Sequence, residues 1–210
     1  MVKEIQIYIE GGAKGQDRAS SVELRRGFSV FFNELVEKAR EKRIRFSFII
    51  CGSTEITCKI FSQANKISPN NFLVLLIDSD IAVSEDETPK SFLQKQPKLK
   101  KYNLKEIGEN QCHLMVQVME SWFLADVAAL KTHFGVDFKE NKLRKNKKVE
   151  EIAKDDVLNS LKEATKDRKK GSYHKIQDGA KLLELINPNK VRESAPHCER
   201  LFVTIREIIE

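Results

Sequence analysis

Asp78 and Asp80 stand at the end of an unbroken apolar run, Phe72-Leu73-Val74-Leu75-Leu76-Ile77. Glu10 closes a second apolar stretch and is followed by Gly11-Gly12; Glu120 follows a third, His113 to Met119. Carboxylates held close together repel and raise one another's pKa, and a bound cation removes that cost. Hard oxygen ligands without His or Cys suit Mg²⁺ or Mn²⁺. Such ions activate water, orient a phosphodiester and stabilise its leaving oxygen. Each acid alone is a weak signal, because aspartates after strands also form turns and cap helices. A fifth residue, Lys175, follows a basic run in Tyr173-His174-Lys175. It could contact a phosphate or stabilise a pentavalent transition state; a solvated loop lysine is the plain alternative.

The elements around these acids decide whether they can meet. The run before Asp78 reads as a strand buried on both faces, as inside a parallel sheet. Glu4 to Glu10 alternates and reads as a first strand. Ser20 and Glu23 have capping-box spacing, and Leu24, Phe28, Phe31, Phe32, Leu35 and Ala39 predict one amphipathic helix to about Arg43. Phe46 to Cys51 reads as a second strand, followed by a helix that Ser53 or Thr54 could cap. The order β-α-β-α-β predicts a parallel sheet covered by helices. Residues 81–110 show no period, as in a functional or mobile loop. His113 to Met119 predicts a fourth strand, and Trp122 to Phe134 a helix ended by Gly135. Further helices are expected from an Asp155 cap to Ala164, over 178–186 and over 196–209.

In a parallel sheet the strand ends share one edge, and ligands bind in the crevice outside it. Neighbouring strands lie about 4.8 Å apart, so carboxylates on adjacent ends can share an ion. Glu120 joins them only if its strand is also parallel. The expected fold is therefore α/β: a mostly parallel four-stranded, Rossmann-like sheet flanked by helices, with a small helical C-terminal extension. The composition shift divides it into a core over 1–135 and a basic portion over 136–210 packed on that core.

The chain has 210 residues, 40% hydrophobic and 32% charged, with net charge +6 and pI near 9.0. That charge permits a nucleic-acid partner without demanding one. Basic segments at 95–105, 142–148 and 166–175, with Arg25 and Arg26, suggest a polyanion track. Its candidate contacts are Arg25, Arg26, Lys100, Lys101, Arg144, Lys145, Lys147, Lys148, Lys169 and Lys170. No run is long enough to span a membrane. The four cysteines form no Cys-x-x-Cys pair, which argues against a zinc ribbon or disulfide framework and for a cytoplasmic protein. Gly11-Gly12-Ala13-Lys14-Gly15 lacks the Gly-Lys-Ser/Thr that opens a phosphate-loop helix. Trp122 and Phe123 read as core, and His113 and His133 as ordinary packed or surface histidines.

Glu10-Gly11 after the first strand and Asp78-Ser79-Asp80 after the third resemble the Toprim domain of primases, topoisomerases and overcoming-lysogenization-defect nucleases. The chain also resembles a bacterial Toprim-like family encoded beside AAA- or ABC-type ATPases in suspected anti-phage defence loci. That resemblance rests on Ile7 to Gly12, Arg26-Gly27-Phe28, Phe31-Phe32, Cys51-Gly52-Ser53, Leu76 to Asp80, His113 to Val116, Met119 to Asp126, Tyr173 to Lys175 and Pro188. It implies Mg²⁺ held by Asp78 and Asp80, Glu10 as metal ligand or proton carrier, Glu120 as a further ligand, and an ATPase partner. Topoisomerase chemistry would need a separate tyrosine-bearing domain, for which these 210 residues are expected to leave no room, and primase chemistry usually a zinc module, which the cysteines are not expected to form. The expectation is a metal-dependent nuclease acting on DNA or RNA. The alternatives are a non-catalytic nucleic-acid-binding or regulatory subunit, and a phosphohydrolase acting on a small substrate.

Overall fold

A computed structural model describes residues 2–12, 18–68, 70–84, 86–102, 104–168 and 171–210, without the side chain of Lys105. Lys169, Lys170 and the Ala13–Gly15 part of the glycine loop lie outside these residues. Four strands, β1 (Glu4–Glu10), β2 (Arg45–Gly52), β3 (Asn71–Asp78) and β4 (Cys112–Met115), pair in the order β2-β1-β3-β4. Every pair is parallel, and Asp78 is level with Met115. The β1–β2 crossover leaves β1 on one side and the β3–β4 crossover leaves β3 on the other. The sheet's switch point, where such folds open a crevice, therefore lies between β1 and β3.

Both faces are covered, which explains the unbroken apolar run of β3. Ile5, Ile7, Ile9, Val74 and Leu76 enter one core, against α1 (Arg18–Phe31), α2 (Asn33–Glu41) and helices from the C-terminal half. Those are α5 (Ser121–Leu124), α6 (Val127–Phe134), α7 (Lys154–Thr165), α8 (Lys175–Leu185), α9 (Pro188–Ser194) and α10 (Pro196–Ile209). Tyr8, Leu73, Leu75 and Ile77 enter the other core, with Cys58 and Phe61 of α3 (Thr54–Ile67) and Phe92 and Leu93 of α4 (Pro89–Lys95). Phe31 stacks on Trp122 at 5.0 Å between ring centroids, with Phe202 edge-on at 5.8 Å. All three rings are buried, each contributing about 1.5–3 kcal/mol relative to exposure. Among the described residues, no helix is long and apolar enough to cross a membrane.

Several boundaries differ from the sequence reading. The first helix starts at Arg18, so Ser20 lies inside it and does not cap it. It is divided at Phe32 and ends at Glu41, before Arg43 adopts a φ of 58°. Residues 81–110 are not one structureless loop: they contain α4 and short 3-10 turns at Pro97–Tyr102, Leu104–Glu106 and Glu109–Gln111. The fourth strand stops at Met115. The helix predicted from Trp122 breaks at Asp126, whose side chain accepts from Ala129 N–H and so caps α6. Gly135 ends α6 as expected, at φ 78°. Asp155 lies in the first turn of α7 rather than at its cap, and α9, capped by Asn187, fills a stretch read as a break between helices. Trp122 and Phe123 are fully buried, as read from their spacing.

Candidate functional site

Glu10 ends β1 and Asp78 ends β3, so the switch point brings them together. Glu10 Oε2 accepts from the Asp78 backbone N–H at 3.2 Å, and its Oε1 accepts from the Thr54 hydroxyl at 2.8 Å. Ser53 caps α3, with its Oγ accepting from Ile56 N–H; that leaves the Thr54 side chain for Glu10. Burial raises the Glu10 pKa, opposed by the Thr54 hydrogen bond and reinforced by the charge of Asp80.

Asp78 is the most perturbed of the acids. Oδ1 accepts from Met119 N–H at 3.0 Å, and Oδ2 lies 3.6 Å from Lys175 Nζ. Burial pushes its carboxyl up to about 8; Glu120 and Glu10 add to this, while Lys175 and the Met119 N–H oppose it.

Glu120 is not at a strand end. It immediately precedes α5 and is fully buried. Its Oε2 is 3.3 Å from Lys175 Nζ, and its Oε1 accepts from the Tyr173 hydroxyl at 3.1 Å. The Tyr173 pKa is raised, mainly by burial and then by the charge of Glu120. Lys175, the first residue of α8, thus bridges Asp78 and Glu120. Burial works against its charge, but the two carboxylates outweigh that and hold its pKa above the ordinary lysine value.

Asp80 faces a different cation. It adopts φ 63°, its N–H donates to Gln117 O at 2.8 Å, and its Oδ1 accepts from Lys154 Nζ at 2.6 Å. Lys98 Nζ lies 4.0 Å from Oδ2. The hydrogen bond to Asp80 raises the Lys154 pKa, against desolvation. A cleft of about 90 Å³ opens beside Asp78 and Asp80, lined by Thr54, Ile81, Phe92, Gln96 and Lys98 among others.

The predicted site residues Glu10, Asp78, Lys175 and Glu120 are therefore linked in one chain of contacts, whereas Asp80, two residues beyond Asp78, is held by Lys154 and Lys98 instead. Thr54, the Met119 N–H, Gln117 and Lys154 were not read as site residues: Thr54 was read as a helix cap, a backbone N–H carries no sequence signal, and Gln117 and Lys154 reach the acids only through the fold. Lys98 belonged only to a basic segment, and Tyr173 only to the stretch holding Lys175.

Most of the predicted nucleic-acid contacts are engaged elsewhere. Arg25 Nε donates to Phe48 O on the edge strand β2, and Arg26 pairs with Glu184. Lys101 pairs with Glu55, Arg144 with Asp156, Lys145 with Glu140 and Lys148 with Glu151. Lys100 and Lys147 are exposed. Neutralisation by neighbouring acids weakens the expected continuous basic track. His133 pairs with Asp178, and His113 is buried, its Nδ1 accepting from Arg200 while Nε2–H donates to Asn110 O. Cys58, Cys112 and Cys198 are buried, and burial raises all three thiol pKa values.

The fold and this acidic switch point define a Rossmann-like α/β protein with a charged cluster at the carboxyl edge of its sheet. The chain belongs to the family described as "Domain of unknown function (DUF4276)", which matches residues 26–206. That match takes in Asp78, Asp80, Glu120, Lys154 and Lys175 and begins after Glu10. No curated protein and no solved structure matches the chain.

Proposed function

We propose that this protein is a Mg²⁺- or Mn²⁺-dependent nuclease that hydrolyses phosphodiester bonds of DNA or RNA. The observation that carries the reading is the Asp78–Lys175–Glu120 bridge, two buried carboxylates on a lysine whose side chain is 53% exposed, joined through the Asp78 backbone to Glu10. Buried ion pairs contribute little net stability, whereas strongly perturbed carboxyls in a cleft mark functional sites.

The donor chemistry suits a hard cation. Asp78, Glu10, Asp80 and Glu120 supply only oxygen; burial, with Glu120 and Glu10 adding to it, raises the Asp78 pKa, and a bound cation would favour its charged form. Among the described residues, no three acidic, His or Cys side chains form a ready ligand group. In this reading Asp80, whose side chain is 42% exposed, exchanges Lys154 for the ion. A bound Mg²⁺ would supply activated water and neutralise charge on the phosphoryl oxygens. Lys175 adds a fixed ammonium for charge developing there. Glu10 is placed to hold or move a proton. Tyr173 fixes Glu120, and Thr54 fixes Glu10.

A second reading has its own support. Lys175 and Lys154 already neutralise carboxylates, as they would in a non-catalytic nucleic-acid-binding or regulatory subunit. The first reading also carries an ATPase partner from the family resemblance.

Cleavage assays separate these readings. Wild type, Glu10→Gln and Asp78→Asn are incubated with single- and double-stranded DNA and RNA in Mg²⁺, Mn²⁺ or EDTA, with and without an ATPase encoded beside the protein. The nuclease reading predicts ion-dependent cleavage that falls by about 100-fold or more in each variant. Cleavage that survives both substitutions refutes the site. No cleavage under any condition favours the binding role.

A further inference from the structure

Lys154 belongs to no sequence motif, yet buried structure fixes its position. Gln117 is 6% exposed. Its Oε1 accepts from Lys154 N–H at 3.1 Å, and its Nε2 donates to Glu150 O at 3.5 Å. The Gln117 carbonyl accepts from Asp80 N–H at 2.8 Å. One buried residue therefore fixes both the start of α7 and the left-handed turn carrying Asp80. That backbone conformation costs a non-glycine residue about 1–2 kcal/mol. The Lys154–Asp80 pair does not offset it: the side chains are 37% and 42% exposed, and such pairs contribute about 0–1 kcal/mol. The arrangement is costly for stability and calls for another role.

Charge and space indicate that role. In formal charges, Glu10, Asp78, Asp80 and Glu120 face the three ammonium groups of Lys98, Lys154 and Lys175. One divalent cation would leave this set with a single positive charge, the complement of one phosphodiester. Lys98 and Asp80 line the same cleft, so a group held there meets the Lys98 ammonium as well as the Asp80 edge that Lys154 faces. Lys154 uses one of its three N–H donors on Asp80.

We infer that Lys154 and Lys98 form a phosphate-binding subsite beside Asp80 that takes one backbone phosphate of a nucleic-acid strand. The choice of a strand rests on the nuclease reading; the subsite itself rests on the Gln117 network and the paired lysines. Lys154 binds the phosphate, and Gln117 acts as its positioning residue.

Binding tests this without turnover. Fluorescence anisotropy of a labelled single-stranded oligonucleotide is measured in EDTA and in Ca²⁺ across a salt series. The proteins are wild type, Lys154→Met, Lys154→Arg, Lys98→Met and the control Lys139→Met, whose lysine pairs with Asp167. Lys154→Met should weaken binding about tenfold and reduce the salt slope by about 0.7–1. Lys154→Arg should retain most affinity, and Lys139→Met should match wild type. Unchanged affinity and slope in Lys154→Met overturn the subsite, as does a wild type that binds no oligonucleotide at any salt. Inorganic phosphate that competes as well as oligonucleotide, per phosphate, overturns its assignment to a strand. If Lys154-dependent binding appears but wild type never cleaves, the subsite stands and the nuclease reading falls. If wild type cleaves and Lys154→Met keeps its KM and affinity, the nuclease reading stands and the subsite falls.

Discussion

Asp78 is pulled in opposite directions by its neighbours. Burial, Glu120 and Glu10 favour the protonated form, while Lys175 and the Met119 N–H favour the charged one. The balance moves its pKa from 3.8 to about 8. Between those values the folded protein keeps a proton that the unfolded chain has lost, so this group makes stability fall as pH rises. Asp78→Asn cannot ionise. In EDTA, denaturant unfolding should show the variant gaining on wild type from pH 4 to 8, by up to about 1.4 kcal/mol per pH unit, with the difference levelling off above pH 8. A constant difference across that range contradicts the assignment. Glu10 and Asp78 were legible because each ends a strand, and a strand end has a predictable place; Glu120 was legible only as an acid after an apolar run, since its strand stops at Met115. Thr54, Gln117 and Lys154 were not, since their roles arise only when distant segments meet.

At the scale of elements, the placement of Lys175 depends on helix packing. A Cβ on Gly27 of α1 would lie 2.6 Å from the Ala180 carbonyl of α8 and 3.1 Å from Leu183. A backbone atom cannot swing aside, so Gly27→Ala must push α8 outward and carry Lys175 with it. Thermal unfolding should show a loss of about 1–3 kcal/mol, and cleavage should fall even though Gly27 does not touch the site. Wild-type stability and activity would contradict this coupling. Periodicity revealed the helices, but not their breaks at Phe32 and Asp126. An apolar stripe persists across a short interruption that local hydrogen bonds accommodate. The 3-10 turns after α4 have too few residues for any period to show.

The whole molecule is less divisible than its composition suggests. The basic charge shift after residue 135 does not coincide with a break in the core. Trp122, Phe31 and Phe202 share one cluster with Ile5, Val74, Leu161, Leu183 and Ile205. Deleting 136–210 strips α7 to α10 from one face of the sheet, leaving it only partly covered by α1, α2 and α5–α6, and removes Lys154, Tyr173 and Lys175. A 1–135 fragment should therefore lack cooperative unfolding and disperse poorly by NMR; a cooperatively folding fragment would show that the C-terminal helices are dispensable. The parallel sheet was legible in the β-α-β order, because helical crossovers force parallel neighbours. The sharing of the core was not, since it depends on contacts between distant positions.

The central claim, that this acidic edge binds a catalytic divalent cation, is tested most directly by calorimetric titration of Mn²⁺ into metal-free protein at pH 7, repeated in buffers of different ionisation enthalpy. Saturable binding should be lost in Asp78→Asn. In wild type it should release up to about one proton, as the raised Asp78 carboxyl ionises against the metal. Absence of saturable binding at millimolar Mn²⁺, or binding undiminished in Asp78→Asn, would contradict the account.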